Sequence, residues 1–318
     1  MAGVKWEKKG LIYRPAGDRP WSRSHAQLPI VDASREDRWR IYYATRDEGG
    51  RATISYVEVE AGRPENVLYE HDRPLLPYGP LGAFDESGIM PVAFVAQGRH
   101  NLFYAGWSLR TTVPYQNAIG LAVSDDCGAS FRKIGEGPLF GLLPHEPFFT
   151  GTIAVLVEDG LWRAWYQSCT KWEEIAGAPE PFYHIKYAES DDGVAWRREG
   201  RVAIDYAGPS EGGISSATVL KTSGGYAMWY SYRGATGYRG AGAGAYRIGF
   251  AESSDGLSWT RRDAQAGIDV SPSGWDSDMI AYPQVLRYGE SLFLFYNGNG
   301  FGRAGFGYAT APAGPDFG

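Results

Sequence analysis

Apolar and polar positions along this 318-residue chain alternate in short runs, and no segment sustains a 3.6-residue period. Period-two alternation places successive side chains on opposite faces of a strand, so the pattern predicts half-buried β-strands throughout. Five runs read as inner strands, at 25–32, 87–95, 150–157, 214–221 and 279–287. Each is followed by a second run rich in aromatics: RWRIYYA, NLFYAGW, LWRAWYQ, YAMWYSY and SLFLFYN. Aromatic and β-branched residues suit the pleated, half-buried surface of a sheet.

A repeated phrase gives these strands a period. Residues 187–198 read YAESDDGVAWRR, residues 250–261 read FAESSDGLSWTR, and residues 121–132 read LAVSDDCGASFR. In each, a strand ends at a serine, turns through Asp and Gly, and restarts at an aromatic residue. Asp can bond its own backbone and Gly accepts positive φ, so these residues read as turn formers. Ser124, Ser190 and Ser253 stand 66 and 63 residues apart. A strand–turn–strand unit recurring at that length is the mark of a propeller blade.

The first and last segments complete the count. The final repeat runs out after Gly307-Tyr308-Ala309-Thr310, without an outer strand. The N-terminal run WEKKGLIY resembles the segments just after the turns elsewhere, Trp196-Arg197-Arg198-Glu199-Gly200 and Phe131-Arg132-Lys133-Ile134-Gly135. The expected fold is all-β: a five-bladed β-propeller with four-stranded blades, one domain over residues 1–318. Its ring is closed by the N-terminal strand, which removes open sheet edges.

Composition narrows the function classes. Apolar residues make up 43% and aromatics 14%, enough to fill a large core. A net charge of −6 without long Lys/Arg clusters argues against a nucleic-acid partner. The start, MAGVKWEKKG, has no apolar signal core, and no apolar run approaches membrane-span length, so a cytoplasmic protein without membrane contact is expected. Cys127 and Cys169 read as free thiols. No HExxH or clustered His/Cys set occurs, so neither a catalytic zinc nor a cofactor is expected; a single axial cation stays compatible with the sequence.

Blade topology places the segment before each inner strand, and the loop after each second strand, on one face; the Ser-x-Asp-Gly turns fall on the other. The segments before the inner strands are polar: Arg23-Ser24-His25, Asp85-Glu86, His145-Glu146, Ser210-Glu211 and Asp276-Ser277-Asp278. The loops after the second strands carry Trp107, Trp172, Arg233 to Arg247, and Asn297. Aromatic faces and planar polar groups around an axis suit a small carbohydrate-like substrate. Crowded carboxylates also raise one another's pKa, as a general acid requires. The catalytic candidates are Glu211, Asp85, Glu86 and Asp278. Candidate substrate contacts are Arg23, His25, Trp107, Glu146, Trp172, His184, Arg233, Arg247, Asp276 and Asn297. The glycine-rich 240–244 segment lacks a βαβ context and reads as a lid rather than a phosphate loop.

The five repeats, Glu211-Gly212-Gly213 before the fourth inner strand, and the YAESDDGVAW-type turns resemble the five-bladed glycosidase superfamily. That group includes arabinanase/xylosidase-like, invertase-like and mannoside-phosphorylase-like families. In the arabinanase-type branch the resemblance implies a base Asp in the first blade, an assisting Asp about two blades on, and an acid Glu in the next. Glu211 falls where that acid belongs. The first-blade segment, Ser24-His25-Ala26-Gln27-Leu28-Pro29, has no carboxylate; Asp32 lies at the far end of its strand, and the third blade offers Glu146. The implied activity is glycoside cleavage, by hydrolysis or phosphorolysis, on an oligosaccharide, glycoconjugate or sugar nucleotide. Acids spread around an axis leave room for a water between them, so inversion of configuration is expected. The missing first-blade Asp favours the alternative, a propeller that binds a sugar-like ligand or has reused the pocket for another reaction.

Overall fold

In the computed structural model, which describes residues 3–317, the repeated turns show why this sequence bends where it does. Ser190 Oγ donates to Asp192 Oδ1 at 3.0 Å and accepts the Gly193 N–H at 2.9 Å. Asp192 Oδ1 then accepts the N–H groups of Val194 and Ala195, both at 2.8 Å. Ser253 and Asp255 repeat these bonds around Gly256. Both glycines sit at positive φ, 73° and 76°, where a Cβ would strain the backbone. The backbone donors hold the Asp192 and Asp255 carboxyls below the usual aspartate range. These residues form turns, as their spacing predicts.

The strands pair antiparallel in chain order. β2 (Ser24–Asp32), β3 (Arg38–Arg46), β4 (Ala52–Glu60) and β5 (Arg63–Glu70) form the first meander. β6 (Gly88–Gln97), β7 (Arg99–Leu109), β8 (Tyr115–Ser124) and β9 (Arg132–Lys133) form the next. In the third, β10 (Thr150–Glu158), β11 (Leu161–Ile175) and β12 (Ala178–Ser190) are edged by β13 (Trp196–Arg197) and β14 (Val202–Ile204). The fourth comprises β15 (Glu211–Thr222), β16 (Gly225–Gly234), β17 (Arg247–Ser253) and β18 (Thr260–Arg261). The last meander is β19 (Ala281–Tyr288), β20 (Ser291–Asn297) and β21 (Phe306–Pro312), with β1 (Glu7–Tyr13) from the chain's other end. Single parallel pairs, Ala52 with Gly88 and Tyr183 with Gly213, link meanders into larger sheets of eight and nine strands.

The first strands of the meanders lie side by side. β2 packs on β6, β6 on β10, β10 on β15, β15 on β19, and β19 on β2. The apolar cores fill the spaces between neighbouring meanders. One joins Phe103 and Ile119 to Phe140, Trp162 and Tyr166; another joins Trp229 and Phe250 to Ile280, Leu294 and Tyr296.

One stretch departs from the sequence expectation. Lys171-Trp172-Glu173-Glu174 is not a loop but a continuation of β11, paired with β12 as far as Ile175 and Ala178. Ala176 and Gly177, at φ 52° and 80°, form a tight two-residue connection that matches strand twist and extends the hairpin. His184 therefore lies within β12 rather than at a strand entry.

β1 runs along β21 from Glu7 opposite Thr310 to Tyr13 opposite Phe306. Just before it, Trp6 packs edge-on against Trp229 at 5.8 Å, and its indole donates to the Ala266 carbonyl at 3.1 Å. Deleting residues 1–13 should therefore bare the edge of β21 and remove a buried tryptophan. Truncating such a side chain alone costs about 3–5 kcal/mol. The deletion variant should unfold at lower denaturant and self-associate through its free edge. A monomeric variant with an unchanged melting temperature would show that β1 contributes nothing of the kind.

Candidate functional site

Each inner strand loses register within its length, in β10 and β19 from the first residue. The shifts fall between Ser24 and Ile30 in β2, Pro91 and Ala93 in β6, and Thr150 and Ile153 in β10. They recur between Ser215 and Thr218 in β15, and Ala281 and Gln284 in β19. A bulge of this kind bends a strand and re-aims its side chains. Leu28, Ser216 and Tyr282 sit there at φ 59°, 50° and 60°, a region disfavoured for residues with a Cβ. Such strain persists only where the surroundings over-determine it, and it clusters at functional sites.

The surroundings here are side chains that take up the N–H groups freed by the bulges. Asn297 Oδ1 accepts the Leu28 N–H at 2.8 Å, and Ser231 Oγ accepts the Tyr282 N–H at 2.7 Å. Gln167 Oε1 accepts the Thr152 N–H at 3.2 Å, while Thr152 Oγ1 accepts that of Ser216 at 2.7 Å. Asn297, Ser231 and Gln167 each come directly after a second-strand tyrosine, Tyr296, Tyr230 and Tyr166. The same register thus supports three of the bulges.

The bulges surround a cavity of about 410 Å³, lined by residues from β2, β6, β10, β15 and β19. Trp107, Tyr115, Tyr183, Tyr246, Tyr282 and Phe301 supply its aromatic surface. Gln27, Asn117, Thr152, Gln167, Ser215 and Ser216 supply neutral polar groups, and Arg46 and Arg239 the charges. Gly88 makes room for one wall, because a Cβ there would lie 2.0 Å from the Trp107 indole nitrogen. Clefts of about 560 and 580 Å³ lie elsewhere, one around Tyr232, Asp263 and Asp269, the other beside β1 and β21. Neither draws on more than neighbouring segments.

The acids singled out from the sequence occupy a different layer. Asp85 binds Lys133 at 2.5 Å and the Tyr104 hydroxyl at 3.2 Å. Glu146 binds Arg198, Lys186 at 3.1 Å and the Tyr166 hydroxyl at 2.8 Å. Asp276 binds Lys8 at 2.6 Å and the Tyr296 hydroxyl at 3.0 Å. Their side chains are 2–3% exposed. Glu211 lies under Arg261, which donates to its two oxygens at 2.7 and 2.8 Å and also reaches Asp263 at 2.6 Å. Glu211 Oε2 accepts the Ala207 N–H as well, at 2.8 Å. Glu86 accepts the Gly82 N–H at 2.6 Å, and Asp278 Oδ1 the Ser277 hydroxyl at 3.2 Å. None of Glu211, Asp85, Glu86, Asp278, Glu146 and Asp276 is among the residues lining the cavity.

Of the expected substrate contacts, Trp107 lines the cavity. Trp172 stands behind it, packed on Tyr115 and Phe149 at 5.3 and 5.7 Å. Arg233 is buried in the wall, bonded to the Tyr183 hydroxyl at 2.9 Å and stacked 3.7 Å over Tyr238. Asn297 is spent on backbone, donating to Ala26 and Gly305 carbonyls at 2.6 and 2.8 Å. Arg247 pairs with Asp269 at 3.1 Å in the peripheral cleft, and exposed Arg23 donates to the Gly17 carbonyl. His184 Nδ1 lies 3.0 Å from Asp205. His25 is buried beside Ser24; burial, then Arg46 and Arg303, push its imidazole down to about 4, so it is neutral at physiological pH. None of residues 240–244 is among those lining the cavity, but Tyr238 and Arg239 just before them are, and both bind Glu180, at 2.5 Å.

The residues missed in the sequence are mostly mid-strand: Gln27, Thr152, Ser215, Ser216 and Tyr282. Their signal is a polar or bulky residue interrupting an otherwise apolar inner strand. Among the described residues, no group of three or more His, Cys, Asp and Glu is placed to hold a metal ion. Cys127 is exposed, Cys169 buried, and both are free. No helix among them is long and apolar enough to cross a membrane.

If the acids are structural, their loss should register in stability. Breaking a buried ion pair by removing one partner costs about 3–5 kcal/mol, so Lys133→Met should lower the unfolding free energy by that order. Near-native stability would mean Asp85 does not depend on Lys133. Burial pushes the Glu146 carboxyl up, but Arg198 and Tyr166 overrule it and leave it below the ordinary glutamate range. A depressed carboxyl stabilises the fold above the unfolded-state pKa, and that stability fades as pH falls through the folded value. Denaturant titrations from about pH 6 to 3 should show a shallower acid loss for Glu146→Gln than for the parent; parallel curves would contradict this.

No known protein-family profile matches the chain. Among solved structures it is similar to a glycosyl hydrolase from Bacteroides ovatus, with 16% identity and TM-score 0.69 over 97% of this chain and 94% of that one. It is similar also to a structure described under the statement that the GH130 family of mannoside phosphorylases contains glycoside hydrolases that target β-1,2 mannosidic linkages in Candida mannan. That match has 15% identity and TM-score 0.67, over 97% and 94% of the two chains. These likenesses show a shared fold. In sequence the chain is 39% identical over 308 residues to the Mycobacterium tuberculosis (strain H37Rv) protein Rv1502, covering 96% of this chain and 99% of that one. With that identity over nearly both full lengths, the chain belongs to the Rv1502 family.

Proposed function

We propose that the protein is a sugar-cleaving enzyme built as one five-bladed β-propeller, closed by β1, with its substrate in the axial cavity. The observation that carries this reading is the cavity's lining: aromatic faces beside Gln, Asn, Ser and Thr groups, in a cavity to which all five inner strands contribute residues. Flat apolar surface beside planar hydrogen-bonding groups matches the C–H faces and hydroxyls of a sugar ring. The cyclic packing of β2, β6, β10, β15 and β19, together with the pairing of β1 with β21, supports the blade count and the closure. The glycosidase fold shared with the solved structures supports the chemistry.

Cleavage in this reading does not use Glu211 with Asp85, Glu86 or Asp278 as an acid–base pair. Two carboxyls must flank the scissile bond for that, and these four stand outside the cavity lining. The carboxylate bound to the cavity wall is Glu180, which holds Tyr238 and Arg239 there. The same shortage of lining acids favours a second reading, a sugar-binding protein that cleaves nothing.

A panel of aryl glycosides, oligosaccharides and sugar nucleotides, with and without inorganic phosphate, separates the two. Release of product supports the enzyme; binding without turnover supports the second reading. Trp107→Ala should weaken binding by at least about tenfold, or ~1.4 kcal/mol. Glu211→Gln should keep its activity while losing stability. Loss of turnover in a stable Glu211→Gln protein would return that residue to the chemistry.

A further inference from the structure

The cationic groups around the cavity are not equivalent. Arg239 is matched by Glu180; outside the lining, Arg247 is matched by Asp269 and Arg261 by Glu211 and Asp263. Arg46, at the end of β3, lines the cavity with no carboxylate in ion-pair range among the described residues. Its one side-chain bond goes from Nη2 to Gln27 Oε1 at 3.3 Å, and its buried Nε has no partner. Gln27 is itself tied to the Tyr282 hydroxyl at 3.2 Å, which fixes the acceptor in the wall. Arg303, on the loop before β21, also has no carboxylate in ion-pair range among the described residues, and the two arginines bear on each other electrostatically. Across the same lining, the hydroxyl of buried Ser216 has no partner either.

Desolvating a guanidinium without an anion is costly, and placing a second cation beside it adds repulsion. Arg233, also in the wall, is satisfied by the Tyr183 hydroxyl and the Gly234 and Pro181 carbonyls, whereas Arg46 keeps donors free for something that arrives with negative charge. Guanidinium is a rigid fork suited to two oxygens of one oxyanion. His25, uncharged at neutral pH, adds no competing positive charge.

We infer that the cavity selects an anionic carbohydrate, with Arg46 holding an oxyanion of the substrate, Arg303 flanking it, and Ser216 offering a neutral hydrogen bond. The oxyanion is a carboxylate, as on a hexuronate, or a phosphoryl group, as on a hexose phosphate. This rests on the carbohydrate reading of the cavity and narrows it to a substrate class.

Calorimetric titration with neutral hexoses, the matching hexuronates, hexose phosphates and inorganic phosphate tests the inference. At least one anionic series should bind about 10- to 100-fold more tightly than its neutral parent, the range of a charged hydrogen-bonded contact. The gain should shrink as ionic strength rises. Inorganic phosphate should compete if the group is phosphoryl and not if it is carboxylate. Arg46→Met should abolish the gain while sparing the neutral sugar, and Arg46→Lys should restore part of it. Arg303→Met, on an exposed side chain, guards against a folding artefact and should reduce the gain. Equal affinity for neutral and anionic sugars overturns the inference and leaves the carbohydrate reading standing, as does a gain that survives both methionine variants. Failure to bind any sugar overturns both.

Discussion

The constraint on which this structure depends is a buried clasp of acid, tyrosine and cation, repeated around the molecule. The tyrosine comes from the second strand of a meander, the cation from its outermost strand or the residue beyond, and the acid from a neighbouring connection. Asp85, Tyr104 and Lys133 make one; Glu146, Tyr166 and Arg198 another; Asp276, Tyr296 and Lys8 a third. Asp263 and Glu211 share Arg261 beside Tyr230 in the fourth. In the first meander Tyr43 instead bonds the Tyr13 hydroxyl of β1 at 3.1 Å. A buried ion pair adds little net stability over an apolar substitute, yet removing one partner is expensive. The clasp therefore acts as a register device, pinning the outermost strand to the second in four of the five meanders. The last clasp pins the beginning of the chain to its end.

That device decides what the cavity can be made of. The segments before the inner strands are where a shared axis would gather catalytic acids, and in this chain Asp85, Glu146, Glu211 and Asp276 are held in the clasps, while Glu86 and Asp278 bond locally. The cavity takes its polarity from the next layer: Gln27, Thr152, Ser215 and Ser216 on the bulged strands, with Gln167 and Asn117 beside them. An amide or hydroxyl that satisfies a freed N–H keeps a strained backbone from collapsing into regular pairing. Residues at φ near 60°, such as Leu28 and Tyr282, are thus held by their neighbours rather than by their own preference.

The fold was largely legible in the sequence because strand alternation, turn chemistry and repeat length are local. Ser190, Asp192 and Gly193 do in the structure what their spacing says, and the expected inner strands start within a few residues of the observed ones. The site was not legible, for a physical reason. Whether Glu211 or Asp85 meets a ligand depends on whether a cation from another strand reaches it first. Lys133 is 48 residues from Asp85, and Lys8 is 268 from Asp276. No local pattern carries that information. Trp107 was recoverable because an aromatic at the end of a second strand points to the same face wherever the register holds. Gln27 and Ser216 were hidden because a bulge, unlike a turn, has no residue signature of its own.

The partition of acids and cations also sets the local charge. Once the acids are bound to Lys and Arg in the clasps, their fields are largely cancelled at short range, which leaves Arg46 as the lining cation without a carboxylate partner among the described residues. The chain as a whole carries a net charge of −6, so this local sign runs against the global one. A low-dielectric pocket concentrates such a field, whereas charge spread over the surface is screened within about 8–10 Å. A solute meeting the protein at a distance thus responds to a weakly acidic particle, and a solute inside the cavity responds to Arg46. Discrimination by charge in the site then turns on that wall residue, and the acidity of the chain acts only at longer range.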